Sequence, residues 1–325
     1  MSTVQCDLCP KACRLSEGES GDCRIRYNMG GKLVALTYGR PAAIQVDPVE
    51  KKPLFHFLPG SKVFSLATAG CNLHCKNCQN AGLSQANPLE RKAYSASPET
   101  IVASATKKGC AGIALTYSDP VVFYEYALDI AKRAREKRLK VVWVTAGYIN
   151  PAPLARALPL IDAANLDIKS MSDSFYRSIC NATLAPVLAT AEAMLRAGVW
   201  LEITNLVIPS LNDTDKDVKN LATFMVTHLS RDVPLHFSRF FPHYQLRNIP
   251  PTPPETLIRA REIAQAQGVR HVYIGNMRHL PGTENTLCPA CGITLIERYG
   301  YHIISNRLQR GACPGCHRAL PGVWS

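Results

Sequence analysis

Seven short runs rich in β-branched and small apolar residues recur through the middle of the chain, at 63–68, 112–116, 141–145, 163–168, 200–207, 235–240 and 272–275, with helical patterns between them. Strands separated by helices cannot be joined by tight hairpins, so they pair in parallel through crossover connections. Six or seven such units in about 215 residues predict an α/β fold, a (β/α) barrel that is complete or partial. The helix starts carry their own signals. Ser97-Pro98-Glu99 offers an N-cap, a first-turn proline and an acid that suits the helix dipole. Thr252-Pro253-Pro254-Glu255 reads as a capping box, and Asp213, Thr214 and Asp215 open a helix running towards His228. In sheets of this kind chemistry collects where the strands end, which gives every polar run at a strand's C-terminal end a functional meaning.

The chain has thirteen cysteines, and eleven of them fall into three clusters built mostly from two- and three-residue gaps. That is ligand spacing rather than a disulfide framework. No basic run followed by an apolar stretch marks the N-terminus and no long uninterrupted apolar run occurs, so a cytoplasmic protein with no membrane partner is expected. On that reading the sequons at Asn181 and Asn212 are chance matches. The formal charge of +12 invites a nucleic-acid partner. Metal-bound thiolates bring it down to roughly +7, however, and the basic run from Lys132-Arg133 to Lys140 includes Glu136, as a solvated helix face would. Nucleic acid is therefore not the expected partner. No P-loop, glycine-rich dinucleotide fingerprint or HExxH motif occurs.

Cys71, Cys75 and Cys78 form a C-x3-C-x2-C loop directly after the first of the seven strands, at the expected barrel mouth. Three thiolates on one short loop can ligate three irons of a [4Fe–4S] cubane and leave the fourth open to a substrate. The alternative is a zinc knuckle completed by His74. In spacing and position the loop resembles the radical S-adenosylmethionine (SAM) superfamily. That resemblance implies a partial (β/α)6 barrel, a cluster whose open iron is chelated by SAM, an electron donor, and one-electron cleavage of SAM to methionine and a 5′-deoxyadenosyl radical. The residue before the third cysteine, usually aromatic in that superfamily, is Asn77 here.

Thr116-Tyr117-Ser118-Asp119-Pro120 stands where many superfamily members carry a Gly-Gly-Glu run that binds SAM's amino group. The resemblance makes Asp119, with Thr116 and Ser118, candidates for that ammonium, while an Asp-Pro helix start is the structural alternative. Asp167 and Lys169 lie two apart near the end of the fourth run, so both project to one face. Lys169 is a candidate for SAM's carboxylate, and an ion pair between the two is the alternative. The runs 145–148, 202–205 and 236–239 are weaker candidates for ribose or substrate contacts. No catalytic acid or base is named by the sequence.

The whole assembly from residue 6 to residue 324 resembles the AmmeMemoRadiSam-system radical SAM enzymes, relatives of pyruvate formate-lyase activating enzyme. The runs that carry this are 71–80, 116–120 with Phe123-Tyr124-Glu125-Tyr126, 144–148, 206–209 and 273–276. The resemblance implies a Memo-family protein and an AMMECR-domain protein as partners. It leaves open an enzyme acting on a small molecule or on SAM-derived carbon, and an activase that abstracts hydrogen from a partner's glycine. A zinc-rich nucleic-acid-binding module is the reading from a different class.

Cys288, Cys291, Cys313 and Cys316 form two knuckles around a hairpin-like segment, a closed structural site for zinc, or for iron as in rubredoxin, with zinc preferred. Cys6, Cys9, Cys13 and Cys23 are less diagnostic: a second zinc site or an auxiliary iron–sulfur cluster, with structural metal placed ahead. Cys110 and Cys180 read as small buried hydrophobes, though Cys180 follows the fourth strand closely enough to approach the mouth. Three parts are expected: a Cys-rich segment over 1–60, the barrel over 61–284 and a metal-bound tail over 285–325.

Overall fold

The computed structural model describes residues 3–277 and 280–325. All seven expected runs enter one eight-stranded sheet. Its strands are β1 (Ala43–Pro48), β2 (Lys62–Ala67), β3 (Gly112–Leu115), β4 (Lys140–Thr145), β5 (Ala163–Asp167), β6 (Trp200–Val207), β7 (Leu235–Arg239) and β8 (Val272–Gly275). They lie side by side in chain order, and β2 to β8 are parallel, so the sheet curls as a partial barrel with free edges at β1 and β8. The eighth strand was not expected. Ala43–Pro48 comes from the Cys-rich stretch and pairs antiparallel with β2, where an edge position tolerates its closing proline.

Among the described residues, the longer helices that follow the strands are α1 (Pro98–Lys107), α2 (Tyr124–Glu136), α3 (Pro151–Ala157), α4 (Ala185–Arg196), α5 (Asp215–Phe224) and α6 (Pro254–Ala266). Ser97 caps α1 through the Thr100 amide at 3.2 Å. Thr214 and Asp217 form a reciprocal capping box on α5. The box expected at Thr252 is absent. Its buried hydroxyl instead donates to the Val207 carbonyl at 2.6 Å and accepts the Phe240 amide at 3.0 Å, because unpaired groups at the ends of β6 and β7 lie closer than the helix amides. The basic face of α2 is solvated and paired, with Lys132 on Asp129 and Arg133 on Glu99 and Glu136.

One end of the barrel is plugged. Val49, Leu54 and Phe57 pack on Val63, Ala114, Val142 and Ala163, whose small inward side chains leave room for the plug. Each large plug residue contributes about 1.5–3 kcal/mol by leaving water. Glu202, fully buried in β6, fixes the same segment by accepting the Phe55 and His56 amides at 2.9 and 2.7 Å, together with Trp200 Nε1 and His236 Nε2. Against burial, which pushes the Glu202 carboxyl up, the His236 bond and the neighbouring positive charge hold it down at about 2.

The tail is a three-stranded antiparallel sheet, β9 (Thr286–Leu287), β10 (Thr294–Tyr299) and β11 (His302–Asn306). It rests on the plug. Leu58 N donates to Val323 O and Val323 N to His56 O, both at 2.7 Å, and the buried Arg298 guanidinium donates to Phe55 O at 2.7 Å while lying over the Phe55 ring. At the other end, the open mouth is flanked by the N-terminal segment. Among the described residues no single helix is long and apolar enough to cross a membrane.

Candidate functional site

With one end plugged, the C-terminal ends of the strands form the open mouth of the partial barrel. There a cleft of about 1650 Å³, including its open entrance, is lined by Cys71, Cys75 and Cys78 from the loop after β2. Thr116, Ser118 and Asp119 from the end of β3 and Asp167 and Lys169 from the end of β5 line it too. Residues spread over a hundred positions of sequence therefore share one wall.

The cysteine loop is held from outside. The His74 amide donates to Cys180 O at 3.0 Å and the Lys76 amide to Ile179 O at 2.9 Å, anchoring the loop on the turn Tyr176–Cys180. Asn72 donates to Tyr148 O at 2.8 Å. Both ring nitrogens of His74 are engaged away from the sulfurs, Nδ1 with Gln85 at 2.7 Å and Nε2 with Asp22 at 2.9 Å. The Asp22 bond raises the His74 pKa and, with Lys11, holds Asp22 at about 2. The fourth ligand that a zinc knuckle would need is thus committed elsewhere. Burial pushes the Cys71 and Cys78 thiols up, and Cys75 is raised first by a hydrogen bond with the Cys180 thiol and then by burial. Cys180, fully buried, does approach the mouth.

Ser118 and Asp119 are largely used in building the wall. Ser118 Oγ donates to Thr68 O at 2.8 Å. Asp119 accepts Val121 N at 3.0 Å, Thr145 Oγ1 at 2.9 Å and Ala146 N at 2.8 Å, which takes three of roughly four lone-pair positions. Burial raises its pKa against those bonds. It does not cap the following helix, whose first turn begins at Tyr124 after an intervening turn. Lys169 and Asp167 form the ion pair considered as the alternative, at 2.8 Å, and still face the cleft. Burial lowers the Lys169 pKa, but the Asp167 and Cys75 charges outweigh it and the net shift is upward. Asn205 and Asn212 brace this strand end by donating to the Ile168 and Lys169 carbonyls at 2.8 and 2.7 Å. Asn212 is buried, which removes it as a glycosylation site. Of the weaker candidates, Thr145, Ala146, Thr204, His236, Phe237 and Ser238 line the cleft, whereas Glu202 serves the plug.

Sequence reasoning missed three features. Tyr117, at φ +63°, turns its hydroxyl to Asp47 on β1, and the buried Lys52 ammonium sits 2.7 Å from the same carboxylate and 4.3 Å from the Tyr117 ring centre. Burial pushes Lys52 down to about 8, while hydrogen bonds from Lys52, Tyr117 and Lys51 overcome burial to hold Asp47 well below the usual carboxylate range. Asn77, the departure from the aromatic pattern, presents a buried Oδ1 with no partner among the described residues, on the cleft wall. Tyr301, in the tail's hairpin turn, closes one side of the cleft, so the tail contributes to the site as well as folding itself. The tail's own cysteines converge: all four sulfurs lie within 4.8 Å of one another, a group able to hold a metal ion.

Residues 65–225 match the Radical SAM superfamily. An uncharacterized protein of Methanocaldococcus jannaschii is 46% identical over 315 residues, covering 96% of this chain and 93% of its own length. The benzylsuccinate synthase activating enzyme of Thauera aromatica is 21% identical over 190 residues, 54% of this chain and 57% of that one. Among solved structures, a radical SAM methyltransferase from Sphaerobacter thermophilus gives a TM-score of 0.53 at 16% identity, covering 68% of each chain. Streptococcus suis SuiB bound to S-adenosylmethionine gives 0.52 at 13%, covering 70% of this chain and 53% of that one. Those two likenesses carry the fold, and the cysteine loop at the open end of a partial parallel barrel agrees with the sequence match: the chain belongs to the radical SAM superfamily and is a radical SAM enzyme.

Proposed function

We propose that Cys71, Cys75 and Cys78 ligate a [4Fe–4S] cluster at the barrel mouth and that SAM binds beside it in the cleft. The single observation that carries this reading is the convergence of those three cysteines with Thr116, Ser118, Asp119, Asp167 and Lys169 on one cleft at the strand ends. The donor set fits the group. One loop offers three cysteines, Cys180 stands behind them fully buried with its thiol hydrogen-bonded to Cys75, His74 is engaged elsewhere, and the orphaned Asn77 Oδ1 supplies a buried acceptor suited to an exocyclic amine. When bound, the cluster supplies the electron that cleaves SAM to methionine and a 5′-deoxyadenosyl radical. This chain's residues do the rest. Lys169, held by Asp167 and kept charged, takes the SAM carboxylate; the remaining lone pair of Asp119 and the Thr116 hydroxyl take the ammonium. The apolar and aromatic walls at Val144, Phe237 and Tyr301 keep water from the radical.

The substrate reading is an enzyme of the AmmeMemoRadiSam type acting with a Memo-family and an AMMECR-domain partner, and the second reading, favoured by the likeness to activating enzymes, is hydrogen abstraction from a partner protein's glycine. The tail cysteines hold zinc. The test reconstitutes wild type and Cys75→Ala anaerobically, and measures 5′-deoxyadenosine release with dithionite and zinc in the same samples. Release from wild type and His74→Ala alone is expected, with tail metal in every variant. Wild type with full iron but no deoxyadenosine, even with candidate partners present, sinks the reading. A stable glycyl radical in an added partner would select the activase.

A further inference from the structure

Cys6, Cys9, Cys13 and Cys23 surround a second cavity, of about 350 Å³, outside the cleft. The tail gives a yardstick for it. One tetrahedral ion bonded at about 2.3 Å draws its four sulfurs to separations of roughly 3.8 Å. The tail sulfurs match, with Cys288 to Cys316 at 3.5 Å and Cys291 to Cys313 at 3.6 Å. Among the described residues no other group of three or more such ligand atoms comes within 4.8 Å of one another, so the N-terminal sulfurs ring their cavity without meeting at a point. Cys71, Cys75 and Cys78 behave the same way. A cubane places each thiolate on its own iron and keeps the thiolates apart, whereas a single zinc cannot.

The rest of the cavity agrees. Leu8, Val121 and Val122 give it an apolar wall, its one carboxylate, Asp22, is tied to Lys11 at 3.0 Å and His74 at 2.9 Å, and the cations Lys11 and Arg26, paired with Asp22 and Glu125, also line it beside the four sulfurs. Full cysteine ligation leaves no iron open to a substrate, so electron transfer is the chemistry that remains. The position suits it. Asn72 lines this cavity, and its Oδ1 lies 4.0 Å from Cys71 Sγ. A Cβ on Gly70, at φ +91°, would fall 2.7 Å from the Cys23 carbonyl oxygen, so the two loops are in backbone contact.

We propose that these four cysteines ligate a second [4Fe–4S] cluster that relays single electrons from a low-potential one-electron donor protein to the cluster at the barrel mouth; the relay, though not the site, rests on the function proposed above. One electron takes the N-terminal cluster from 2+ to 1+ and its departure restores 2+, with no bond made or broken.

The test uses the full chain reconstituted anaerobically with iron and sulfide. Wild type should hold about eight irons and eight sulfides, and the triple variant Cys71→Ala, Cys75→Ala, Cys78→Ala about four of each, apart from tail metal. The double variant Cys9→Ser, Cys13→Ser should also fall to about four. Dithionite-reduced wild type should show a paramagnetic resonance signal broadened by coupling between two clusters, relative to the sum of the two variants. A triple variant with no sulfide and one extra zinc overturns the site. Two clusters without broadening overturn the relay. Four irons in the triple variant and none in the double variant support the N-terminal site and place the fault in the barrel-mouth assignment.

Discussion

Replacing Asp119 tests whether the β3 end is built before it binds anything. The carboxylate collects three donors, the Val121 and Ala146 amides and the Thr145 hydroxyl, at 2.8–3.0 Å. Thr145 Oγ1 in turn accepts the Gly147 amide at 3.0 Å, so the end of β4 hangs on the same group. Hydrogen bonds to a charged acceptor contribute about 1.5–3 kcal/mol each, and an orphaned buried amide costs about 1–3 kcal/mol. Relieving the carboxylate's own desolvation offsets part of this. For Asp119→Ala the balance is a loss of about 2–4 kcal/mol, with two amides left unpaired. Asp119→Asn should lose less, about 1–3 kcal/mol, since whichever oxygen becomes NH2 faces one backbone N–H. Urea unfolding of the two variants and wild type should give midpoints in the order wild type, Asn, Ala at equal slope, and SAM titration should weaken in the same order. An Ala variant with the wild-type midpoint and wild-type SAM affinity would refute the network and the binding role together.

Gly70→Ala should destabilise by about 2–4 kcal/mol, from a left-handed residue gaining a Cβ and from overlap with Cys23 and Ile25, and limited proteolysis should then release the N-terminal segment first. Burial pushes His56 down to about 3 and His271 to about 4. The unfolded chain therefore takes up protons below about pH 6.5 that the folded chain refuses, so stability falls as pH drops, by about 2 kcal/mol per histidine at pH 5. His271→Phe, which also removes an Nε2 without a partner among the described residues, should flatten that slope in urea midpoints taken between pH 7 and pH 5, and an unchanged slope would count against it. Stripping the metal proposed for the tail with a chelator should raise the substrate KM while leaving uncoupled deoxyadenosine release unchanged, because Tyr301 lines the cleft but the three cluster cysteines come from a different loop; loss of both would show that the tail supports the barrel itself.

The parts legible in sequence are those in which a few adjacent residues decide the outcome. C-x3-C-x2-C after a strand places three sulfurs on one loop whatever the rest of the chain does, and the strand runs of alternating α/β order all reach the sheet. Lys169 and Asp167 were legible for the same reason, since a spacing of two fixes a shared face. What stayed hidden depends on contacts between distant segments. The saturation of Asp119 needs the end of β4, Asp47 reaches Tyr117 across 70 residues, and Thr252 prefers a strand-end carbonyl to its own helix. Ala43–Pro48 carries no strong strand pattern and becomes a strand because β2 offers it an open edge.

The segment from Val49 to Leu58 carries a consequence of its own, since the barrel's plug and the tail's docking bonds share it. With the proposed metal in the tail and the proposed ligand in the cleft, both would stand on one foundation, and any coupling of their binding through it would be reciprocal. Whatever factor the tail metal adds to the affinity of a ligand touching Tyr301, that ligand returns to the metal in full. On that proposal the tail's affinity for zinc would be a gauge of what occupies the cleft, readable without following the radical chemistry at all.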